Sequence, residues 1–231
     1  PALVAAVQAA NAGRERPVVT ALDNTWGAGI AFNAFDLGVD VSMQALTKYP
    51  SGGADVLMGS VVTRDEALHR AVLLCHMRLG LGIAANDAEL VLRNLPTMEL
   101  RYHAQDATTR ALATWMQGRP GVAQVFHPAL PGSPGHAFWQ RDASAAACLF
   151  SVAFDPSIHQ TRIDAFCDEL QLFKLGWSWA GPISLCAPYN VSAIRTLGWP
   201  HAGGLVRFAV GLEALGDLQA DLAQALPALL A

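Results

Sequence analysis

The stretch SMQALTKYPSGGADVLMG, residues 42–59, decides how this chain is read. It opens on small and apolar residues, carries a single base at Lys48, turns through Pro50-Ser51-Gly52-Gly53 and becomes apolar again. The apolar stretches on either side predict strands, one over Val39–Ala45 and one over residues 55–63. The glycines between them let backbone come close to a ligand. Upstream, PVVTALDNT (residues 17–25) begins with β-branched residues and ends in polar ones. It reads as a buried parallel strand with Asp23 at or just past its C-terminal end. Helical patterns alternate with these strands. Residues 2–10 are stopped by Asn11-Ala12-Gly13, a second helix runs from Asp65 to about Met77, and ANDAELVLRNLPTM opens on an Asn/Asp cap signal. Such alternation predicts an α/β layer with a mostly parallel sheet.

Beyond Pro96 the pattern changes. Residues 99–117 predict a long helix with Leu100, His103, Ala107, Ala111 and Trp115 near one face, closed by Gly118-Arg119-Pro120-Gly121. There follow GVAQVFHP, a Pro/Gly-rich loop at 128–135, the strand CLFSVAF, a helix over 158–170, a strand-like turn around 177–186, the strand GLVRFAVG and a final helix from 214. This mixture predicts a smaller α+β domain, so the chain divides into residues 1–95 and 96–231.

Of the 231 residues 52% are hydrophobic and 15% charged, which supports a sizeable core and excludes a disordered chain. A net charge of −4 without a basic block argues against a nucleic-acid partner. No apolar run approaches the roughly 18 residues of a membrane span, and Pro227 interrupts the C-terminal LAQALPALLA. No signal-peptide pattern is read. Cys75, Cys148, Cys167 and Cys186 form neither CxxC nor a metal spacing, and are expected as buried thiols of a reduced cytoplasm. The seven histidines make no HxH or HxxxH, so no metal site is expected, and neither GxSxG nor GxGxxG occurs. Pro1 is not an initiator methionine, and PALVAAVQAANAGRERPVV reads like the middle of a domain. The expectation is the C-terminal part of a longer polypeptide.

Three residues carry candidate chemistry. Lys48 is either a surface lysine or an amine at a strand end whose lost hydration lowers its pKa and frees it as a nucleophile. Asp23 is either the first residue of a DNT turn or a carboxylate at the carboxyl end of a parallel strand, where open α/β sheets bind ligands. On adjacent strands the two would face one crevice. A lysine that forms a Schiff base and an aspartate that keeps a pyridine nitrogen protonated suit pyridoxal phosphate. Arg207, in an otherwise apolar strand, needs a partner. That partner is either a structural carboxylate such as Glu213 or the carboxylate of a substrate, held bidentately. Trp26, Trp177, Trp179 and Trp199 all read as core, and Trp26 and Trp179 also neighbour these positions.

At these residues the chain resembles a known family. ALDNTWGAG and DLGVDVSMQALTKYPSGGADVLMG are similar to the cofactor segment of the Cys/Met-metabolism enzymes that use pyridoxal phosphate, the cystathionine γ-synthase-like group. The resemblance continues through LVLRNLPTMELR, VAQVFHPALPGSPGHAFWQRD, LFSVAF, WSWAGPISL and LVRFAVGLEALGDLQADLAQAL, and so spans essentially the whole chain. The HPALPGSPGHAFWQRD and SWAG wording is most similar to the bacterial β-lyase branch. The resemblance implies an aspartate-aminotransferase-like architecture (fold type I), with residues 1–95 in the large domain and 96–231 as the small domain. It implies Lys48 as Schiff-base lysine and proton shuttle, Asp23 on the pyridine nitrogen, Thr47 on the cofactor phosphate, and Arg207 with Ser178 and Trp179 on the substrate carboxylate. The implied reaction is β-elimination of cystathionine, a small sulfur amino acid, to homocysteine, pyruvate and ammonia. A γ-elimination or γ-replacement enzyme and a catalytically incomplete fragment stay as alternatives. The resemblance further implies a cytoplasmic homotetramer built as a dimer of dimers, and a longer polypeptide whose N-terminal part completes the site. Departures are Ala45 where the family often has serine, Gly53 and Ala54 in place of a loop histidine and serine, and Ala180 and Pro182 in SWAGPISL.

Overall fold

The computed structural model describes residues 1–201 and 203–230. Its contacts divide the chain into two compact units, Pro1–Met98 and Glu99–Ala231.

In the first unit α1 (Ala2–Ala10) precedes β1 (Ala21–Asp23), a 3-10 turn (Ala34–Leu37), β2 (Val41–Ala45), β3 (Gly59–Thr63), α2 (Glu66–Arg78), α3 (Ala85–Asn94) and a second 3-10 turn (Leu95–Thr97). β1 and β2 pair in parallel, and β3 adds an antiparallel edge. Short polar side chains set the element ends. Asn33 accepts from the Phe35 N–H at 3.1 Å to open the 3-10 turn, and Asp65 caps α2 through the Leu68 N–H at 2.7 Å. Asp40 accepts from both the N–H and the hydroxyl of Thr20, each at 2.7 Å, which joins the start of β2 to the residue before β1. Those bonds hold the Asp40 carboxyl below the usual carboxylate range. The predicted buried strand over 17–25 is corrected. Only Ala21–Asp23 pairs, and Val18 and Val19 are exposed; among the described residues β1 has a single strand neighbour, β2.

In the second unit α4 (Met98–Met116) leads through β4 (Val122–Phe126), α5 (His136–Asp142), β5 (Leu149–Phe154), α6 (Gln160–Glu169), β6 (Lys174–Leu175), β7 (Leu185–Tyr189), α7 (Val191–Ile194), β8 (Leu205–Ala209) and α8 (Leu215–Ala225) to α9 (Pro227–Leu230). The strands order as β4-β5-β8-β7-β6, antiparallel except for β6 beside β7. On β8 the alternation of a strand is direct: Val206 and Phe208 face the core and Arg207 the other side. Phe208 stacks on Phe150 at 4.9 Å and meets Phe173 edge-on at 5.3 Å, so aromatic packing fixes the sheet against α6 and α8.

The helix over 98–116 buries a different face from the one predicted. Leu100, His103 and Ala107 are exposed, while Tyr102, Gln105, Asp106, Thr109, Leu112, Ala113 and Met116 are buried. Hydrophobicity alone misread the stripe because its polar members are satisfied inside. Gln105 Nε2 donates to the carbonyls of Gly181 and Val210, both at 2.9 Å, and Asp106 accepts from the Ala146 N–H at 2.7 Å. The expectation of four buried thiols also fails at Cys75, which is exposed on α2, a helix without buried residues. Short α5 was not read from sequence, and the predicted final helix breaks before Pro227, which cannot donate to the preceding turn.

His127, just after β4, is buried with neither ring nitrogen hydrogen-bonded. Burial pulls its pKa down from 6.5 to about 4; Arg110 adds to the lowering and Asp106 opposes it. The unfolded imidazole takes its proton near pH 6.5, so this group's stabilisation is complete above that pH and is lost as pH falls toward 4, by on the order of 3 kcal/mol. Urea midpoints compared at about pH 7 and pH 4.5 should therefore fall less in His127→Phe than in the parent chain.

Candidate active site

β1 and β2 deliver Asp23 and Lys48 to one end of a parallel strand pair. The register sets Ala21 against Val41 and Asp23 against Met43. Asp23 closes β1, and the chain turns at once: the Thr25 N–H and hydroxyl both donate to Asp23 Oδ1, at 2.9 and 2.5 Å. This is an Asx turn, so the DNT reading as a turn holds. The same Thr25 hydroxyl accepts the Ala45 N–H at 2.8 Å, and the Asn24 N–H donates to Met43 O at 2.8 Å. Buried Thr25 thereby rivets the end of β1 to the end of β2. Asp23 Oδ2 makes no hydrogen bond among the described residues, which leaves one carboxylate oxygen for a cationic partner.

Past Ala45 the chain winds into a tight turn. The Lys48 N–H donates to Ala45 O at 3.2 Å, the Ser51 N–H to Leu46 O at 2.9 Å and the Gly52 N–H to Lys48 O at 2.9 Å. Gly52 closes it at φ +63°, a left-handed conformation that suits glycine. Tyr49 and Ser51 are fully buried on one side of Lys48, which is itself half-buried. Ser51 Oγ donates to Thr47 O at 2.9 Å. These anchors hold the lysine backbone while its long side chain stays partly in solvent. The Thr47 hydroxyl donates to Met58 O at 3.3 Å and accepts the Met58 N–H at 3.1 Å. To donate to a phosphate it must release the longer of these bonds.

The second unit holds the other cluster. Arg207 stands on β8 between Ser151 of β5 and Ala187 of β7. Its Nη2 donates to Trp177 O at 2.6 Å, and the guanidinium lies 5.9 Å from the centre of the Tyr189 ring. Glu213 is not its partner. That carboxylate takes the Ser184 N–H and hydroxyl at 2.7 and 2.8 Å, and the Ser184 oxygen accepts the Gly211 N–H at 2.8 Å. Arg207 has no carboxylate partner among the described residues, and its Nε is buried without an acceptor. A half-buried guanidinium with no carboxylate partner among the described residues, and one N–H buried without an acceptor, suits an incoming anion. Its bond to Trp177 brings it to the segment that carries exposed Ser178 and half-buried Trp179. Gln105 pins the same segment through Gly181 O. Ala180 lies at φ +63°, where a glycine would sit without strain.

Sequence reasoning missed three contributors. Thr25 had a signal, its place two residues after Asp23 in an Asx-turn pattern. The Trp177 carbonyl and the Tyr189 ring had none, since backbone acceptors and cross-strand neighbours follow from register alone.

The residues of the first unit fit pyridoxal phosphate as a donor set: the Lys48 amine, the Asp23 carboxylate with one open oxygen and the Thr47 hydroxyl. The comparisons with known proteins agree. A family model described as Cys/Met metabolism PLP-dependent enzyme matches residues 3–227. The cystathionine beta-lyase of Bordetella avium is 38% identical over 215 residues, 92% of this chain and 54% of that protein. The cystathionine beta-lyase of Salmonella typhimurium is 36% identical over 228 residues, 96% of this chain and 56% of that protein. Among solved structures, the cystathionine gamma synthase of Xanthomonas oryzae pv. oryzae, in complex with cystathionine, superposes with a TM-score of 0.87 at 31% identity, covering 98% of this chain and 59% of that one. The chain thus spans about half the length of the curated relatives it matches.

Proposed function

Because the chain belongs to the Cys/Met metabolism PLP-dependent enzyme family, whose architecture is aspartate-aminotransferase-like fold type I, we propose that the protein is a carbon–sulfur lyase that cleaves cystathionine by β-elimination to homocysteine, pyruvate and ammonia. The observation that carries the proposal is the riveted pair of strand ends, which fixes Asp23 and Lys48 at one edge through Thr25. The β-lyases of Bordetella avium and Salmonella typhimurium, to which the chain is similar, lend the substrate and the reaction.

In this reading Lys48 would hold the cofactor, and its amine would take the proton from the substrate Cα. Asp23 would use its open oxygen to keep the pyridine nitrogen protonated, and Thr47 would offer its hydroxyl to the phosphate. The bound cofactor supplies the electron sink that makes a Cα proton removable. Arg207, with Ser178 and Trp179 beside it, would clamp the substrate α-carboxylate. The proton that Lys48 gains is then available to the leaving thiolate. Residues 1–95 act as part of the cofactor domain and 96–231 as the small domain. A homotetramer arranged as a dimer of dimers is the assembly proposed; light scattering on the eluting protein tests it.

Product analysis tests the reaction. Pyruvate from cystathionine is expected, and 2-oxobutyrate in its place would convert the reading to γ-elimination, which the likeness to a gamma synthase keeps in view. A protein that binds no pyridoxal phosphate would leave only the reading of an incomplete piece. For Arg207→Gln, KM for cystathionine should rise by roughly 100-fold with a smaller change in kcat, since a charged clamp is worth about 2–3 kcal/mol.

A further inference from the structure

Tyr189 ends β7, and strand register decides what it can touch. Between β7 and β8, Ala187 pairs with Arg207 and Tyr189 with Leu205. Residues two apart on a strand share a face, so Tyr189 stands diagonally beside Arg207, on the face opposite that of Phe208. The direct neighbours of Arg207 across the ladder are small, Ser151 on β5 and Ala187 on β7, and neither is long enough to steer a guanidinium. Among the described residues the guanidinium makes one hydrogen bond, from Nη2 to Trp177 O at 2.6 Å, and its Nε makes none. The Tyr189 ring supplies a second contact. Its centre lies 5.9 Å from the guanidinium carbon, within the reach of a cation–π attraction.

The same ring also braces the residue that supplies the acceptor. The Gly176 N–H donates to Cys186 O at 3.0 Å, which brings residue 177 alongside the end of β7. There the exposed Trp177 ring meets the Tyr189 ring edge-on, with centroids 5.1 Å apart. Arg207, Trp177 and Tyr189 thus close a triangle. One side is the hydrogen bond from guanidinium to carbonyl, one is the edge contact of the two rings, and the third is the ring beside the cation. Both contacts of Tyr189 in this triangle are made by its ring rather than its hydroxyl. An arginine head on a long stem loses affinity for an anion in proportion to the time it points elsewhere, so a contact that restricts the head strengthens binding without touching the anion.

We infer that, on the reading of Arg207 as the clamp for a substrate carboxylate, Tyr189 is its positioning residue: the ring holds the guanidinium in the conformer that receives the carboxylate. Tyr189 acts through Arg207 alone, and its role does not depend on which carbon–sulfur bond is cleaved.

The test is a titration of the ¹⁵N-labelled protein with propionate, a carboxylate that has no amine to compete with Lys48. The reporter is the Arg207 Nε–H resonance, identified by its loss in Arg207→Gln, and a saturable shift is expected. Tyr189→Leu should weaken the apparent Kd by about fivefold, and Tyr189→Phe, which keeps the ring, should bring it back to within about twofold of the parent. Tyr189 is half-buried at a strand end, so both variants should keep the parent fold. In turnover of cystathionine, whichever keto acid is released, Tyr189→Leu should raise KM by a similar factor with kcat within about twofold. In the Arg207→Gln background the same change should move KM by less than about twofold, because the group it positions is gone. An Arg207 resonance that propionate does not move overturns the clamp, and the role of Tyr189 with it. A resonance that moves with the same Kd in parent and Tyr189→Leu overturns the positioning role alone. So does an equal loss in Tyr189→Phe, or an effect of Tyr189→Leu that persists undiminished beside Arg207→Gln.

Discussion

Lys48→Ala is expected to lower pyruvate release from cystathionine by about 10³–10⁴-fold, the range for removing a positioned general base. The loss should exceed that of any other single change, because one amine has two tasks in the proposed reaction. It holds the cofactor, and it takes and returns the Cα proton. The backbone around it should not move. Tyr49 and Ser51 stay buried, and the turn closed by the Gly52 N–H on residue 48 uses no lysine side-chain atom. The variant should therefore fold like the parent while its absorbance band near about 420 nm, expected of a protonated Schiff base, is lost. Two readouts separate the causes. Loss of the band with loss of activity fits the proposal. Pyruvate formed at the parent rate by Lys48→Ala would sink it.

The second large effect is on stability. Asp221→Ala should destabilise the second unit by about 3–5 kcal/mol, since several charge-assisted bonds and their buried partners are affected together. The carboxylate of Asp221, buried on α8, accepts the N–H groups of Gln171, Leu172 and Phe173 at 2.7, 2.8 and 3.1 Å. These residues lie in the connection between α6 and β6, and Phe173 is itself one of the rings around Phe208. Alanine leaves the donors facing an empty space and frees the turn that seats the ring. Asparagine keeps one acceptor oxygen and should cost about half as much. Calorimetry checks this, since 3–5 kcal/mol should appear as a fall in Tm of roughly 10 °C for a domain of this size. A fall under about 3 °C would mean that water replaces the carboxylate at the turn.

Cys167 and Cys186 show how a buried group can change without bearing on the site. The two thiols meet between α6 and β7; their mutual hydrogen bond, with burial adding to it, raises Cys167, and the same bond lowers Cys186 against the effect of burial. Their position in the core answers the sequence expectation of buried thiols, as does that of Cys148, whereas Cys75 does not. Thiol spacing along a chain says nothing of burial; that depends on which helix face meets the sheet.

The sequence by itself determined the local grammar and the chemistry that local grammar can hold. Apolar runs bounded by glycine and proline placed β2 and β8, and Asp65 marked the start of α2. An aspartate at one strand end and a lysine just past the next are written in residue order and suit pyridoxal phosphate, and the resemblance of the surrounding motifs to the family made that reading the leading one. Tertiary structure alone decided which groups are partners. Thr25 joins Asp23 to the end of β2 only because β1 and β2 run parallel in one register. Arg207 lost Glu213 to Ser184 because the chain after β8 turns toward residue 184, a pairing 29 residues apart. The buried face of α4 includes Gln105 and Asp106 because distant acceptors and donors satisfy them there, while Thr109 donates to the Gln105 carbonyl one turn back on the same helix. In each case the reason is the same: a hydrogen bond or an ion pair is a choice among competitors in space, and only the packed chain fixes which competitor is within reach.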